Sequence, residues 1–194
     1  MKEIKEEEFY KMLENENEII ISDICLKNIF IKNKRICSSV SINNCSFEHI
    51  VFENCSFAQF KFENCSFSHC EFLGIQIKDN EHVFDLTNCT FSSCFIYDLK
   101  IEAIGEESDI VRTSFYETRL SNMEFYVNVC IGQCNFVKCT LENNDIRVNE
   151  IDDNILEKLE IRNLKIRAGF SNNEIKNIKM QNCRFYMDEF CNWR

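Results

Sequence analysis

The chain has 194 residues, with 22 Lys and Arg against 32 Asp and Glu and a formal net charge of −10, a balance that argues against a surface built to grip nucleic-acid phosphates directly. No apolar run approaches the roughly 18 residues of a membrane span, and Met1 to Glu8 is acidic where a secretory leader is positive and then apolar, so a cytoplasmic protein without membrane contact is expected. Glycine numbers 4 and proline 0, which leaves Asn, Asp, Ser and charged residues to make the turns, and the length fits one domain.

In residues 1–18, Ile4, Phe9, Met12 and Leu13 fall near one helical face among charges, predicting a short amphipathic capping helix. At Ile19 the period changes. Ile19/Ile21, Ile24/Leu26 and Ile29/Ile31 set a two-then-three rhythm, and the longer step between Ile36 and Ile42 predicts one extra residue at a corner. From Val40 to Ile77 the rhythm is unbroken: Phe47, Phe52, Phe57, Phe62, Phe67 and Phe72 recur, each two residues after Cys45, Ile50, Cys55, Phe60, Cys65 and Cys70.

A period of five fits no regular element. On a helix it advances about 500° and wanders round the cylinder; on a flat strand it alternates faces. Residues two apart on an extended segment do point the same way. Each unit is therefore a very short strand with two inward residues, and the three residues between pairs turn a corner. Repeated corners make a coil that buries its pairs only by stacking on the next coil, which is the logic of a solenoid.

The runs Cys45-Ser46-Phe47, Asn54-Cys55-Ser56-Phe57 and Asn64-Cys65-Ser66-Phe67 resemble the pentapeptide repeat family. The resemblance covers about residues 19 to 190 and implies an all-β solenoid, a right-handed four-sided β-helix with about twenty residues per coil. Cysteine here often takes the place of the family's usual alanine. The 13 cysteines read as compact inward filler, since reduced cysteine behaves as a small hydrophobe; no paired C-x-x-C spacing suggests zinc.

Lys78 to Glu81 interrupts the rhythm, which resumes at Phe84/Leu86, Cys89/Phe91, Cys94/Ile96 and Leu99/Ile101. If the phase survives, Phe47, Phe67 and Phe91 stack on one face, with Cys45, Cys65 and Cys89 beside them and Cys70 over Cys94 on the next. Residues 103–112, with Gly105, Glu106, Glu107 and Asp109, read as a loop thrown out from the rod. Thr113/Phe115, Thr118/Leu120 and Met123/Phe125 restore the coil, and a one-residue slip at Tyr126 to Val129 precedes Cys134/Phe136 and Cys139/Leu141. Beyond Asn143 the pattern fades through Glu150, Asp152 and Asp153, then returns at Leu159/Ile161, Leu164/Ile166, Ile178/Met180 and Cys183/Phe185. Residues 186–194, with Phe190 and Trp193, are expected to cap the coil or to join two copies.

His49, His69 and His82 lie singly, no nucleophile–base order or phosphate loop stands out, and no enzyme activity, cofactor or metal site is expected. Residues 101–160 hold 13 acidic against 5 basic side chains, and 161–194 hold 3 against 7, so an acidic stretch precedes a basic end. The expected function is a non-catalytic protein-interaction scaffold. Acidic members of the resembling family imply a sharper form, a rod that mimics duplex DNA and binds a type II topoisomerase. The candidate contacts are Glu106, Glu107, Asp109, Asp152 and Asp153, with Phe190 and Trp193 as candidate homodimer contacts. The alternative is a structural or regulatory adaptor with no DNA-like role, responsive to thiol chemistry.

Overall fold

Short strands joined at left-handed corners wind this chain into a coil. The computed structural model describes residues 1–14, 18–79 and 84–187, with the backbone alone for 78–79, 102–108, 126–129 and 187. Three-residue strands such as Ser46–Glu48 and Val51–Glu53 are separated by single residues at positive φ, here Asn44, His49 and Asn54. A side chain at such a φ costs about 1–2 kcal/mol, and Asn and Asp tolerate it best. The corner residues are accordingly mostly Asn or Asp, with Gly74 at one of them. The fourth corner has no left-handed residue, and the strand bends through it, as in Ser56–Glu63.

The result is a parallel four-sided β-solenoid. A 9-stranded sheet forms the first face, an 8-stranded sheet the second, and a 10-stranded sheet wraps the third and fourth. Phe47 registers with Phe67, and Phe67 with Phe91, on the first face. The column continues through Phe115 and Phe136 to Leu156. Phase therefore survives the interruption after Ile77: Phe84 and Leu86 pair with Phe60 and Phe62, while residues 80–83 lie outside the described chain.

The expected extra residue before Val40 appears as a register shift between Ile36 and Ser39, and the slip near Tyr126 as one between Tyr126 and Cys130. The stretch expected to leave the rod as a loop stays in the sheet instead. Lys100–Val111 is one strand, with a register shift between Ala103 and Ser108. Both of its ends bond to neighbours in the coils before and after, so the extra residues are taken up as a bulge between two fixed ladders.

At the N-terminus, Lys2–Glu3 adds a parallel rung to Ile24–Lys27, and the helix Glu6–Leu13 buries Phe9 and Leu13 over the first coil. Ile4 is buried just ahead of the helix, and Met12 packs at its margin. Glu6, Glu7 and Glu8 in the first turn suit the positive end of the helix dipole. Among the described residues no helix is long and apolar enough to cross a membrane.

The opposite end differs. Early coils fill the axis with phenylalanine, whereas later coils carry Ile146, Ile151, Ile161 and Ile166. An apolar cavity of about 630 Å³ runs along the axis here, lined by these residues together with phenylalanines such as Phe115, Phe125 and Phe136, and it reaches Ile175 and Met180. Ile175 and Met180, at inward positions of the last coil, are 58% and 51% exposed.

Candidate functional site

Register gathers carboxylates that sequence order scatters. On the fourth face Asp85 lies beside Lys61, its Oδ2 3.2 Å from the ammonium, and Asp85 Oδ1 accepts the Asp109 N–H at 3.1 Å. Asp109 registers with Cys130, and Cys130 with Glu150, so Asp85, Asp109 and Glu150 stand on one row across the coils. Asp152 stands on the next row, between Gly132 and Ser171, where it accepts the Ser171 hydroxyl.

Asp153 is exposed at the following corner, with φ 52°, and so belongs to a different side of the rod from Asp152. The backbone of Glu106 and Glu107 runs within the strand Lys100–Val111, but their side chains lie outside the described residues, as do Phe190 and Trp193. Of the candidate contacts, Asp109 and Asp152 are brought to one face. Asp85 joins them without any local sequence signal, because it sits inside the ordinary unit Phe84/Leu86. Only pairing with the neighbouring coils reveals it.

The interior positions carry chemistry of their own. The Cys65 thiol donates to the Ile42 carbonyl at 3.4 Å and Cys89 to Phe62 at 3.5 Å. In the coils above, Thr113 donates to Leu86 at 3.2 Å, Cys134 to Ile110 at 3.2 Å and Asn154 to Ile131 at 2.9 Å. Cys70, Cys94, Thr118 and Cys139 repeat the arrangement on the adjoining face. Cysteine is thus more than filler: Cys, Thr and Asn are interchangeable donors to a buried carbonyl one coil back. This explains the fading pattern after Asn143, where Asn144 and Asn154 occupy the small inward position and are themselves buried. Burial pushes the Cys134 and Cys139 thiols up to about 11, which keeps them protonated and unreactive. Cys37 is exposed, and Cys25, Cys130 and Cys183 are half-buried.

His49 and His69, both exposed, stack with ring centroids 5.0 Å apart. His82 lies outside the described residues. Ser68 Oγ lies 2.9 Å from His69 Nδ1, a contact at an exposed corner. Ion pairs also bridge outer positions of neighbouring coils, such as Lys27–Glu48 at 2.8 Å and Lys32–Glu53 at 2.9 Å.

No protein-family model matches the sequence, and no curated protein does. Solved structures do resemble the coil. HetL, a pentapeptide repeat protein involved in heterocyst differentiation regulation from the cyanobacterium Nostoc sp. strain PCC 7120, aligns at 9% identity over 84% of this chain and 87% of that one, with a TM-score of 0.35. The plasmid-mediated fluoroquinolone resistance protein QnrB1 aligns at 9% identity over 84% and 92%, with a TM-score of 0.32. This chain's own architecture is the parallel, four-sided β-solenoid described above. A mannuronic acid specific polysaccharide lyase from human gut microbiota also aligns, at 9% identity over 97% and 83%, with a TM-score of 0.29. Identities and scores at this level carry nothing about activity.

Proposed function

We propose that the protein is a non-catalytic, cytoplasmic scaffold that docks a protein partner on its outer faces. In its most specific form, the partner is a DNA-binding protein, a type II topoisomerase, engaged by the acidic fourth face in place of duplex DNA. What supports this reading is the row of Asp85, Asp109 and Glu150 with Asp152 beside it, fixed on strands that are bonded to both neighbours. Carboxylates held on a rigid sheet lose little freedom on docking, and a face on which they outnumber the one lysine of the row, Lys61, steers a basic partner toward them. The C-terminal end, with Ile175 and Met180 exposed, is where two copies would meet, Phe190 and Trp193 following directly in the chain.

A supercoiling and binding assay with a purified type II topoisomerase tests the specific form. The expected outcome is binding that weakens with salt, and inhibition or protection of the enzyme, both lost on combining Asp85→Asn, Asp109→Asn, Glu150→Gln and Asp152→Asn. No binding, no inhibition and no protection would overturn it. Sedimentation of the full chain tests the dimer, which Trp193→Ala should weaken.

A further inference from the structure

Outer positions of adjacent coils mostly set opposite charges side by side, as in Lys61–Asp85 at 3.2 Å, Arg119–Glu142 at 2.9 Å and Lys179–Glu160 at 3.2 Å. The acidic rung Glu124–Asp145 keeps to this pattern through its flanks, with Lys100 3.5 Å from Glu124 and Lys165 3.9 Å from Asp145. The third face departs from it in the last coils. There Arg147 registers with Arg167, and Lys165 with Arg184, and like charges directly opposite are destabilising.

The strands Asp145–Asp152, Lys165–Ser171 and Arg184–Met187 present these side chains as a grid. Rungs are about 4.8 Å apart, and outward residues on one strand about 6.7 Å apart. Asp145 and Arg147 lie on the first rung, Lys165 and Arg167 on the second, Arg184 and Tyr186 on the third. Together with Ile166 they line a hollow of about 310 Å³. Four cations and one carboxylate therefore face one small volume. Asp145 is drawn toward two of them, 3.6 Å from Arg147 Nε and 3.9 Å from Lys165 Nζ. Tyr186 stands at the edge, 46% exposed.

We propose that this hollow binds a small molecule carrying two linked phosphoryl groups, with Arg147, Lys165, Arg167 and Arg184 as its ligands. Guanidinium forks match phosphoryl oxygens in pairs, and an ammonium adds a point charge. Two phosphoryl groups at about −1.5 to −2 each are opposite in sign to the excess of cations over Asp145 in the hollow. The volume is at the small end of organic-ligand sites. A duplex is disfavoured, because the same sheet turns directly into the acidic fourth face and the whole chain carries a net charge of −10. The ring of Tyr186 would pack against the organic end of the ligand.

Titration calorimetry of the full chain in about 150 mM KCl, with inorganic pyrophosphate, ADP and sulfate as probes, tests the site. The expected result is saturable binding of one pyrophosphate or ADP per chain, at least about tenfold tighter than sulfate. Arg147→Gln with Arg167→Gln should weaken both by about tenfold or more, and Lys27→Gln, on another face, should change neither. Tyr186→Ala should weaken ADP and leave pyrophosphate alone. The paired arginine variant should keep a single cooperative melt like that of Lys27→Gln, so that lost binding is read apart from lost folding. Absence of saturable binding, equal binding of sulfate, or indifference to the paired arginine change would each overturn the proposal.

Discussion

The rings of Phe67 and Phe91 lie 4.5 Å apart and 8° from parallel, although a whole coil of chain separates them. Isolated aromatic pairs prefer offset or edge-on arrangements. Here the strand spacing of about 4.8 Å imposes near-parallel stacking, and edge-on contacts come from the neighbouring faces, as between Phe62 and Phe67 at 87°. Phe67 is buried among rings on both sides of its own column. Replacing it with alanine should cost about 3–5 kcal/mol, read as a lower urea midpoint. Glu63→Ala, at an exposed position, should stay within about 0.5 kcal/mol.

Asn154 makes the same point for polar residues. Its Nδ2 donates to the Ile131 carbonyl at 2.9 Å and its Oδ1 accepts the Cys134 N–H at 2.8 Å. Alanine there would leave both partners buried without it and should destabilise the fold by about 2–3 kcal/mol. Threonine should recover part of the loss, since Thr113 already serves the equivalent position, accepting the Cys89 N–H at 3.3 Å while donating to Leu86.

Thiol chemistry separates a structural from a responsive role for the cysteines. Among the described residues, Cys37 should react first with a thiol reagent in the folded protein, and Cys45, Cys65, Cys134 and Cys139 only on unfolding. Rapid labelling of Cys134 in the native state would point to the thiol-responsive adaptor instead.

The same burial makes a pH prediction. Cys134 and Cys139 are raised from 9.0 to about 11, so the folded state holds these protons more tightly than the unfolded one. Their contribution is fully present below pH 9 and is lost as pH rises towards 11, at about 1.4 kcal/mol per unit for each thiol. Urea midpoints measured from pH 8 to 11 should fall over that window, and less steeply in Cys134→Thr.

Corners can be tested at Gly74 and Asn54. Gly74 has φ +64°, and a Cβ there would sit 2.7 Å from Asn54 Oδ1, so Gly74→Ala should lose about 1–2 kcal/mol. Asn54, at φ 52°, should accept glycine with little change and resist valine, judged by thermal melting of each variant.

The recurring Phe47-to-Phe72 spelling by itself determined that the chain coils, that its paired positions face inward, and where Cys45, Cys65 and Cys89 stack, because a five-residue period with inward pairs has few other solutions. The capping face of Phe9 and Leu13 was legible for the same reason, as an apolar stripe at helical spacing. The tertiary structure alone decided what depends on contact between coils. It kept residues 103–111 in the sheet, because ladders on both sides hold the strand ends more firmly than local composition expels them. It also showed Asn144 and Asn154 as core residues, since a polar side chain looks exterior until its buried carbonyl partner is known. Finally, it placed Asp85 beside Asp109 and Arg147 beside Arg167, because charge on a solenoid is arranged across the chain direction, where one-dimensional spacing carries no information once insertions shift the register.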